Sequence, residues 1–108
     1  MFTTSTFIST VKEMGTHIFT ASSSAKKRAV DLYKLAFKEK KSEKCIRREV
    51  EIVAAVCLYA SLREEGEIIT LRDVYNRCEG LSNRKIAQTH KFLRERMKES
   101  NAGPEYKG

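Results

Sequence analysis

Helix breakers are scarce in this chain of 108 residues, which has one proline, at position 104, and five glycines. Proline removes a backbone N–H and clashes with the preceding helical turn, so a chain almost free of it can carry long helices. No segment shows the alternation of apolar and polar residues that is typical of a strand. The sequence therefore predicts an all-α protein, and its length allows one domain with one core.

Motifs for metal binding and catalysis are also absent. The three cysteines, Cys45, Cys57 and Cys78, are far apart and form no CxxC pair. His17 and His90 are not spaced to complete a zinc site, and there is no glycine-rich phosphate loop. The glutamates at positions 64, 65 and 67 stand beside a predicted helix end and are interpreted as solvated side chains. We expect no enzyme, no cofactor and no metal.

No apolar run approaches the length that crosses a membrane, and residues 1–10 lack the basic start and apolar core of a secretory signal. The odd, scattered cysteines indicate a reducing compartment. Cys57 lies in an apolar run and is predicted to be buried, whereas Cys45 stands among lysines that would favour its thiolate. We therefore expect an intracellular protein.

Apolar periodicity predicts two amphipathic helices in the first 40 residues. The first spans residues 5–18, where Gly15 weakens it by roughly 1 kcal/mol. The second follows a serine cap at residues 22–24 and reaches residue 40. Its lysines at positions 27, 34, 38 and 41 share one exposed face. The predicted core stripes are Phe7, Val11, Met14 and Ile18 in the first helix, and Ala25, Ala29, Leu32 and Ala36 in the second.

The third predicted helix, residues 47–65, is the most apolar part of the chain. Between residues 50 and 60 only Glu51 is charged. A helix that is apolar on nearly every side is one that other helices surround. The third helix is therefore predicted to be the centre of the bundle, with Gly66 ending it.

Two further helices complete the prediction. Thr70 and Asp73 are spaced as a capping box before a short fourth helix, which Gly80 ends. Ser82 caps a fifth helix that runs to about residue 99, and a polar, flexible tail is expected over 100–108. His90 is interpreted as a packed, hydrogen-bonded core residue rather than a catalyst. The core stripe of the fifth helix is predicted to be Ile86, His90, Leu93 and Met97.

The net charge of +7 is concentrated in one segment. Residues 26–48 contain ten basic and three acidic side chains, so this segment carries the whole excess, while the other residues sum to zero. Such a field attracts phosphates or an acidic protein surface. The alternative interpretation is an ordinary solvated face.

Three segments, in order, resemble the first cyclin-type repeat of the transcription initiation factor IIB family. Residues 54–66 (AAVCLYASLREEG) are similar to its central-helix signature. Residues 70–74 (TLRDV) and 81–86 (LSNRKI) are similar to the starts of its two following helices. The resemblance covers most of the chain and is strongest over residues 50–95. It implies a five-helix cyclin-like bundle around the apolar third helix, forming a single domain over residues 1–99.

The resemblance also implies a function. In the family, the first repeat lies beside the TATA-box-binding protein, touches DNA next to the TATA element and rests on RNA polymerase. This implies a nuclear module of transcription initiation whose partners are promoter DNA, the TATA-box-binding protein and RNA polymerase. Phosphate contacts would give salt-sensitive affinity without sequence readout. The residues that match the family's DNA-contacting loop are Lys41, Lys44, Arg47 and Arg48. Arg84 and Lys85, in the fifth helix, are further candidate phosphate contacts that come from the chain's own helix pair over residues 71–96.

The chain also departs from the family pattern. Phe19 and Thr20 stand where the family has a proline, the loop before the central helix is about two residues longer, and these 108 residues contain no zinc ribbon or second repeat. Two other interpretations stay open. One is a cyclin-fold adaptor that docks proteins only, with its lysines meeting an acidic partner. The other is a helix-turn-helix regulator over residues 71–96, in which Asn83, Arg84, Gln88 and Lys91 would face a DNA groove.

Overall fold

A computed structural model of the chain describes residues 4–38 and 50–101. These residues form five α-helices and no strand, so the predicted all-α class is confirmed. None of these helices is long and apolar enough to cross a membrane. The helices are α1 (Thr4–His17), α2 (Ser23–Tyr33), α3 (Val50–Glu64), α4 (Leu71–Arg77) and α5 (Asn83–Asn101), and α2 continues into a π-helical turn, Lys34–Lys38.

Helix α3 is the centre of the bundle. Every residue from 52 to 62 is buried, and α3 packs against α1, α2, α4 and α5. Between residues 52 and 62, α3 has no side on which a charged residue could reach water, which explains why this stretch lacks the usual polar stripe. The prediction that other helices surround the third is confirmed.

Small residues on α3 allow its neighbours to approach closely. Ala54, Ala55 and Ala60 are fully buried, as are Ala25 and Ala29 on the facing helix α2. A methyl side chain leaves little volume between two helix backbones, so the core can be filled at close packing without long side chains. This stretch of α3 is therefore built for a short interhelical distance.

A buried hydrogen bond fixes α3 against the first turn of α2. Ser61 is fully buried, and its Oγ donates to the backbone carbonyl oxygen of Ala25 at 2.7 Å. A buried hydroxyl without a partner would cost about 1–3 kcal/mol, so this bond satisfies a group that the core could not otherwise hold. It also sets the register of the two helices.

The predicted core stripes are confirmed for α1, α2 and α5, with one exception. Ile18 is only partly buried, because α1 ends at His17 and Ile18 lies in the following turn. The residues of the stripes that are buried are Phe7, Val11, Met14, Ala25, Ala29, Leu32, Ala36, Ile86, His90, Leu93 and Met97.

A row of aromatic rings joins three of the helical segments. Phe7 of α1 stacks on Tyr33 of α2, with their ring centroids 4.1 Å apart. Phe37 in the π-helical turn lies 6.4 Å from Tyr33 and 5.2 Å from Phe92 of α5, measured between ring centroids. Close aromatic pairs contribute beyond the area that they bury. The row therefore closes the bundle where α1, α2 and α5 meet.

The predicted helix starts are confirmed by their caps. Thr70 Oγ1 accepts from the backbone N–H of Asp73 at 3.2 Å, and a carboxylate oxygen of Asp73 accepts from the N–H of Thr70 at 3.0 Å. Ser82 Oγ accepts from the N–H of Lys85 at 3.2 Å, and Ser22 caps α2 in the same way. Each bond satisfies a backbone donor that has no partner inside its helix.

The turns after α3 and α4 depend on glycine. Gly66 and Gly80 have φ angles of +93° and +99°, in the left-handed region that glycine enters without a steric cost. The turn between α1 and α2 is made differently. Thr20 has a φ of +46° and Phe19 is buried, so this turn is formed without the proline that the factor IIB family has there.

Gly15 has a packing role that the sequence analysis missed. A Cβ at this position would lie 3.0 Å from both Cγ and Cε of Lys26, which crosses α1 at this point. The Lys26 Nζ then donates to Thr16 Oγ1 at 2.6 Å. Glycine weakens the helix locally, but its missing side chain gives the stem of Lys26 its place across α1.

Candidate nucleic-acid interface

The six predicted phosphate contacts divide into two groups. Lys41, Lys44, Arg47 and Arg48 lie outside the residues that the structure describes. Arg84 and Lys85 lie in the first turn of α5, and both side chains are exposed. The described part of the candidate interface therefore lies on α5.

The exposed face of α5 carries a regular row of cations. Arg84, Lys91 and Lys98 recur every seven residues, and all three are exposed. Seven residues make almost two helical turns, so the three side chains lie along one face. This face is opposite the buried stripe of α5, with Gln88 and Glu95 between the cations. We call Arg84, Lys91 and Lys98 the α5 row.

The segment that contains α4 and α5 is basic. Residues 70–98 hold eight basic and three acidic side chains, a net charge of +5. This field is hidden when all charges outside residues 26–48 are summed, because acidic residues in other segments cancel it. The signal was present in the seven-residue spacing of the α5 row, which places like charges on one face.

Beside α5, the end of α3 adds a further cation. Arg63 is exposed, and its guanidinium carbon lies 5.7 Å from the centroid of the Tyr59 ring. The same guanidinium donates to the backbone carbonyl oxygen of Ile69 at 3.1 Å. These contacts hold Arg63 in one place, since a cation over an aromatic face is attracted to its π-electrons. Arg63 is thus a fixed positive charge at the exit of α3.

His90 of α5 contacts the same Tyr59 ring that Arg63 lies over. Its ring meets the Tyr59 ring edge to face, with centroids 5.0 Å apart, and the residue is 5% exposed. Burial was predicted correctly, but the predicted hydrogen bonding is wrong for Nε2, which has no hydrogen-bond partner within the described part of the chain. The imidazole instead packs against the aromatic ring of Tyr59.

The environment of His90 holds the ring neutral. Burial is the largest cause that lowers its pKa to about 4, and the charges of Arg94 and Arg63 contribute to the same shift. Desolvation and nearby positive charges both disfavour the imidazolium ion. His90 is thus a buried residue whose imidazole is held in its neutral form.

The glutamates at the end of α3 are not merely solvated, which corrects the sequence analysis. Glu64 Oε1 accepts from Arg28 Nε at 2.8 Å, and Glu65 Oε2 accepts from Ser24 Oγ at 2.9 Å. Both contacts join the end of α3 to the first turns of α2. Both residues are at least partly exposed to water, so each contact stabilises the fold only slightly. Glu67 is exposed, as expected.

The described cysteines are buried thiols. Burial raises the pKa of Cys57, which is fully buried in α3. Burial also raises the pKa of Cys78, as does the charge of Glu51, while Arg77 lowers it. Cys45 lies outside the described residues. Among residues 4–38 and 50–101, no group of histidine, cysteine or carboxylate side chains is arranged to hold a metal ion.

Two features of α4 and α5 are relevant to the helix-turn-helix interpretation. The two helices are joined by a short turn at residues 78–82, and they pack against each other. The residues proposed to face a DNA groove, Asn83, Arg84, Gln88 and Lys91, are all exposed. The candidate interface therefore includes both the α5 row and the first turn of α5.

Comparison of the chain with family models, with curated proteins and with solved structures found no match. The resemblance to factor IIB therefore remains a prediction from the residues at positions 54–66, 70–74 and 81–86.

Proposed function

We propose that this chain is a nuclear module of transcription initiation, of the factor IIB type, that binds promoter DNA together with the TATA-box-binding protein and RNA polymerase. The observation that supports DNA binding is the α5 row, which presents three exposed cations on one face of a helix in a basic segment. The resemblance of the three sequence segments supports the two protein partners. The module acts by binding and catalyses no reaction.

The length of the α5 row suits a phosphate backbone. Helical rise separates successive cations by about 10 Å, so the row extends over about 21 Å. A DNA strand places a phosphate about every 3.4 Å along its axis, so each cation has phosphates within reach. Binding would release the counterions condensed on these phosphates. The affinity would then depend on salt and carry little sequence preference.

Neutralising the α5 row is expected to weaken DNA binding and its dependence on salt. In the variant Arg84→Gln/Lys91→Gln/Lys98→Gln, we expect the affinity for a TATA-containing duplex at 0.1 M salt to fall on the order of 10- to 100-fold. The slope of log K against log salt should become shallower by about 2–3. Fluorescence anisotropy with a labelled duplex, measured from 0.05 to 0.2 M salt with and without the TATA-box-binding protein, provides both quantities.

The matched control is Lys12→Gln/Lys27→Gln/Lys34→Gln, which removes the same net charge from exposed positions on α1, α2 and the π-helical turn. Its DNA affinity should fall much less than that of the α5 variant. Equal losses in the two variants would contradict a defined interface on α5. Absent or salt-independent DNA binding, even with the TATA-box-binding protein present, would contradict the DNA-binding function. The same assay tests whether the basic loop contributes to DNA binding, with the variant Lys41→Gln/Lys44→Gln/Arg47→Gln/Arg48→Gln.

A stand-alone helix-turn-helix regulator is the second candidate. The exposure of Asn83 and Gln88 beside the cations of α5 favours it, because amide side chains can read base edges in a major groove. This candidate predicts a dimer in solution and a preference for palindromic duplexes. The initiation module predicts a monomer that binds beside the TATA-box-binding protein. Light scattering after size exclusion separates the two.

A further inference from the structure

A groove of about 550 Å³ runs between α1 and α2. Its floor is apolar and is formed by Ile8 and Val11 of α1 and Val30 of α2. Val11 is fully buried, while Ile8 and Val30 are partly exposed. An apolar floor of this kind favours apolar side chains of a ligand over water.

The rim of the groove is basic. Lys12 stands on the α1 side, Lys27 and Lys34 stand on the α2 side, and Lys26 crosses between them. Asp31 is the single acidic residue among those that line the groove, so the lining carries a net charge of +3. Four cations around an apolar strip complement an occupant that is apolar in the middle and acidic at its edges.

The shape suits a helix. On α1 the lining residues Ile8, Lys12 and Thr16 follow at intervals of one turn. On α2 and the turn after it, the lining extends from Ser23 to Lys34. This distance is about 16 Å along a helix axis, which matches an occupant of about 11 helical residues. Apolar side chains at helical spacing would then meet the floor while the flanking positions meet the rim.

The walls of the groove are held in place. The stem of Lys26 lies across Gly15, and its ammonium group donates to Thr16 Oγ1 at 2.6 Å. The stacked rings of Phe7 and Tyr33 join the same two helices from the core side. A preformed groove orders few groups on binding, so less of the interaction energy is lost.

The segments of this chain outside residues 4–38 and 50–101 have no net negative charge that would match the basic rim of the groove. Residues 39–49 carry a net charge of +2, residues 1–3 are uncharged, and residues 102–108 sum to zero. A nucleic acid would match the lysines, but it would leave the apolar floor of Ile8 and Val30 unused. The combination of floor and rim therefore favours a protein segment with negative charge.

We propose that the groove between α1 and α2 docks an amphipathic helical segment of a partner protein, apolar on one face and acidic along both sides of that face. Ile8 and Val30 receive its apolar side chains, and Lys12, Lys27 and Lys34 meet its carboxylates. The site is separate from the α5 row and does not depend on DNA binding. It adds a protein-docking surface to the module.

The test uses a synthetic peptide probe with leucines at helical spacing and glutamates at the flanking positions. Fluorescence anisotropy with the full chain should show saturable binding, and amide chemical-shift changes should be confined to α1, α2 and the turn after α2. Lys12→Gln/Lys27→Gln/Lys34→Gln should weaken binding at least tenfold, and Ile8→Ser should weaken it as well. The matched control Arg84→Gln/Lys91→Gln/Lys98→Gln, which has the same net charge, should bind the probe as the unmodified chain does.

Two further probes make the result decisive. A peptide with the same composition in scrambled order should bind at least tenfold more weakly, because its leucines do not share a face. A peptide with lysine in place of glutamate should not bind. Equal binding of the scrambled probe, shift changes outside the groove, or displacement of the acidic probe by duplex DNA would overturn the proposal. If the unmodified chain self-associates and the groove variant does not, the groove binds a second copy of this chain. That result would also overturn the proposal.

Discussion

Leu58→Ala is expected to lower the free energy of unfolding by about 3 kcal/mol, within the range of 2–5 kcal/mol that such core truncations cost. Leu58 is fully buried in α3, the helix that the others surround. The substitution removes apolar atoms from the core and leaves a cavity that the surrounding helices can only partly fill. A domain of this size has a total stability of roughly 5–15 kcal/mol, so the loss is a large fraction of it.

Urea denaturation followed by circular dichroism measures this change. The matched control is Leu35→Ala, the same substitution at a residue that is 44% exposed in the π-helical turn. We expect the control to cost less than about 1 kcal/mol. Similar losses in the two variants would mean that α3 does not have the central position described above.

Acidification is expected to destabilise the protein through His90. The folded state holds the pKa of this residue at about 4, below its ordinary value of 6.5. Between these two pH values the unfolded chain binds a proton that the folded chain excludes, so stability is lost as the pH falls. Above pH 6.5 the contribution is fully present. The difference between the two pKa values corresponds to a loss of about 3 kcal/mol in the free energy of unfolding when the pH reaches 4.

Unfolding free energies measured at intervals from pH 7 to pH 4 reveal this dependence. His90→Gln should flatten the curve between pH 6.5 and 4, whatever its effect on stability at neutral pH. His17→Gln, at an exposed position on α1, serves as the control and should keep the dependence of the unmodified chain. A curve that stays equally steep in the His90 variant would show that other groups cause the acid sensitivity.

Much of the fold follows from local sequence rules. The capping box of Thr70 and Asp73, and the left-handed glycines Gly66 and Gly80, involve residues that are near neighbours in the chain. The buried stripes follow from the 3.6-residue period, which needs no knowledge of the partner helix. The central place of α3 follows from its composition, because only a surrounded helix can dispense with a polar face.

Contacts between distant segments could not be predicted in the same way. Lys26 lies across Gly15, Arg28 pairs with Glu64, and the rings of Tyr59 and His90 meet edge to face. Each contact depends on the angle and offset at which two helices cross, and a single sequence does not specify these quantities.

The candidate interface was predicted in part. Arg84, Lys85 and Lys91 were identified in the segment of the helix-turn-helix interpretation. Lys98 was missed, although its spacing from Lys91 placed it on the same face. The groove between α1 and α2 was not predicted at all, because a floor shared by two helices is visible only when both are placed.

The position of α3 also affects how this protein can be made. Helices α1 and α2 precede α3 in the chain, whereas α5 follows it and covers another side of the same buried surface. During synthesis, α3 therefore leaves the ribosome with an apolar side that has no cover until residues 83–101 have followed. A nascent chain in this state is prone to aggregate. The surface of α3 that α5 covers is therefore buried only after α5 has been synthesised.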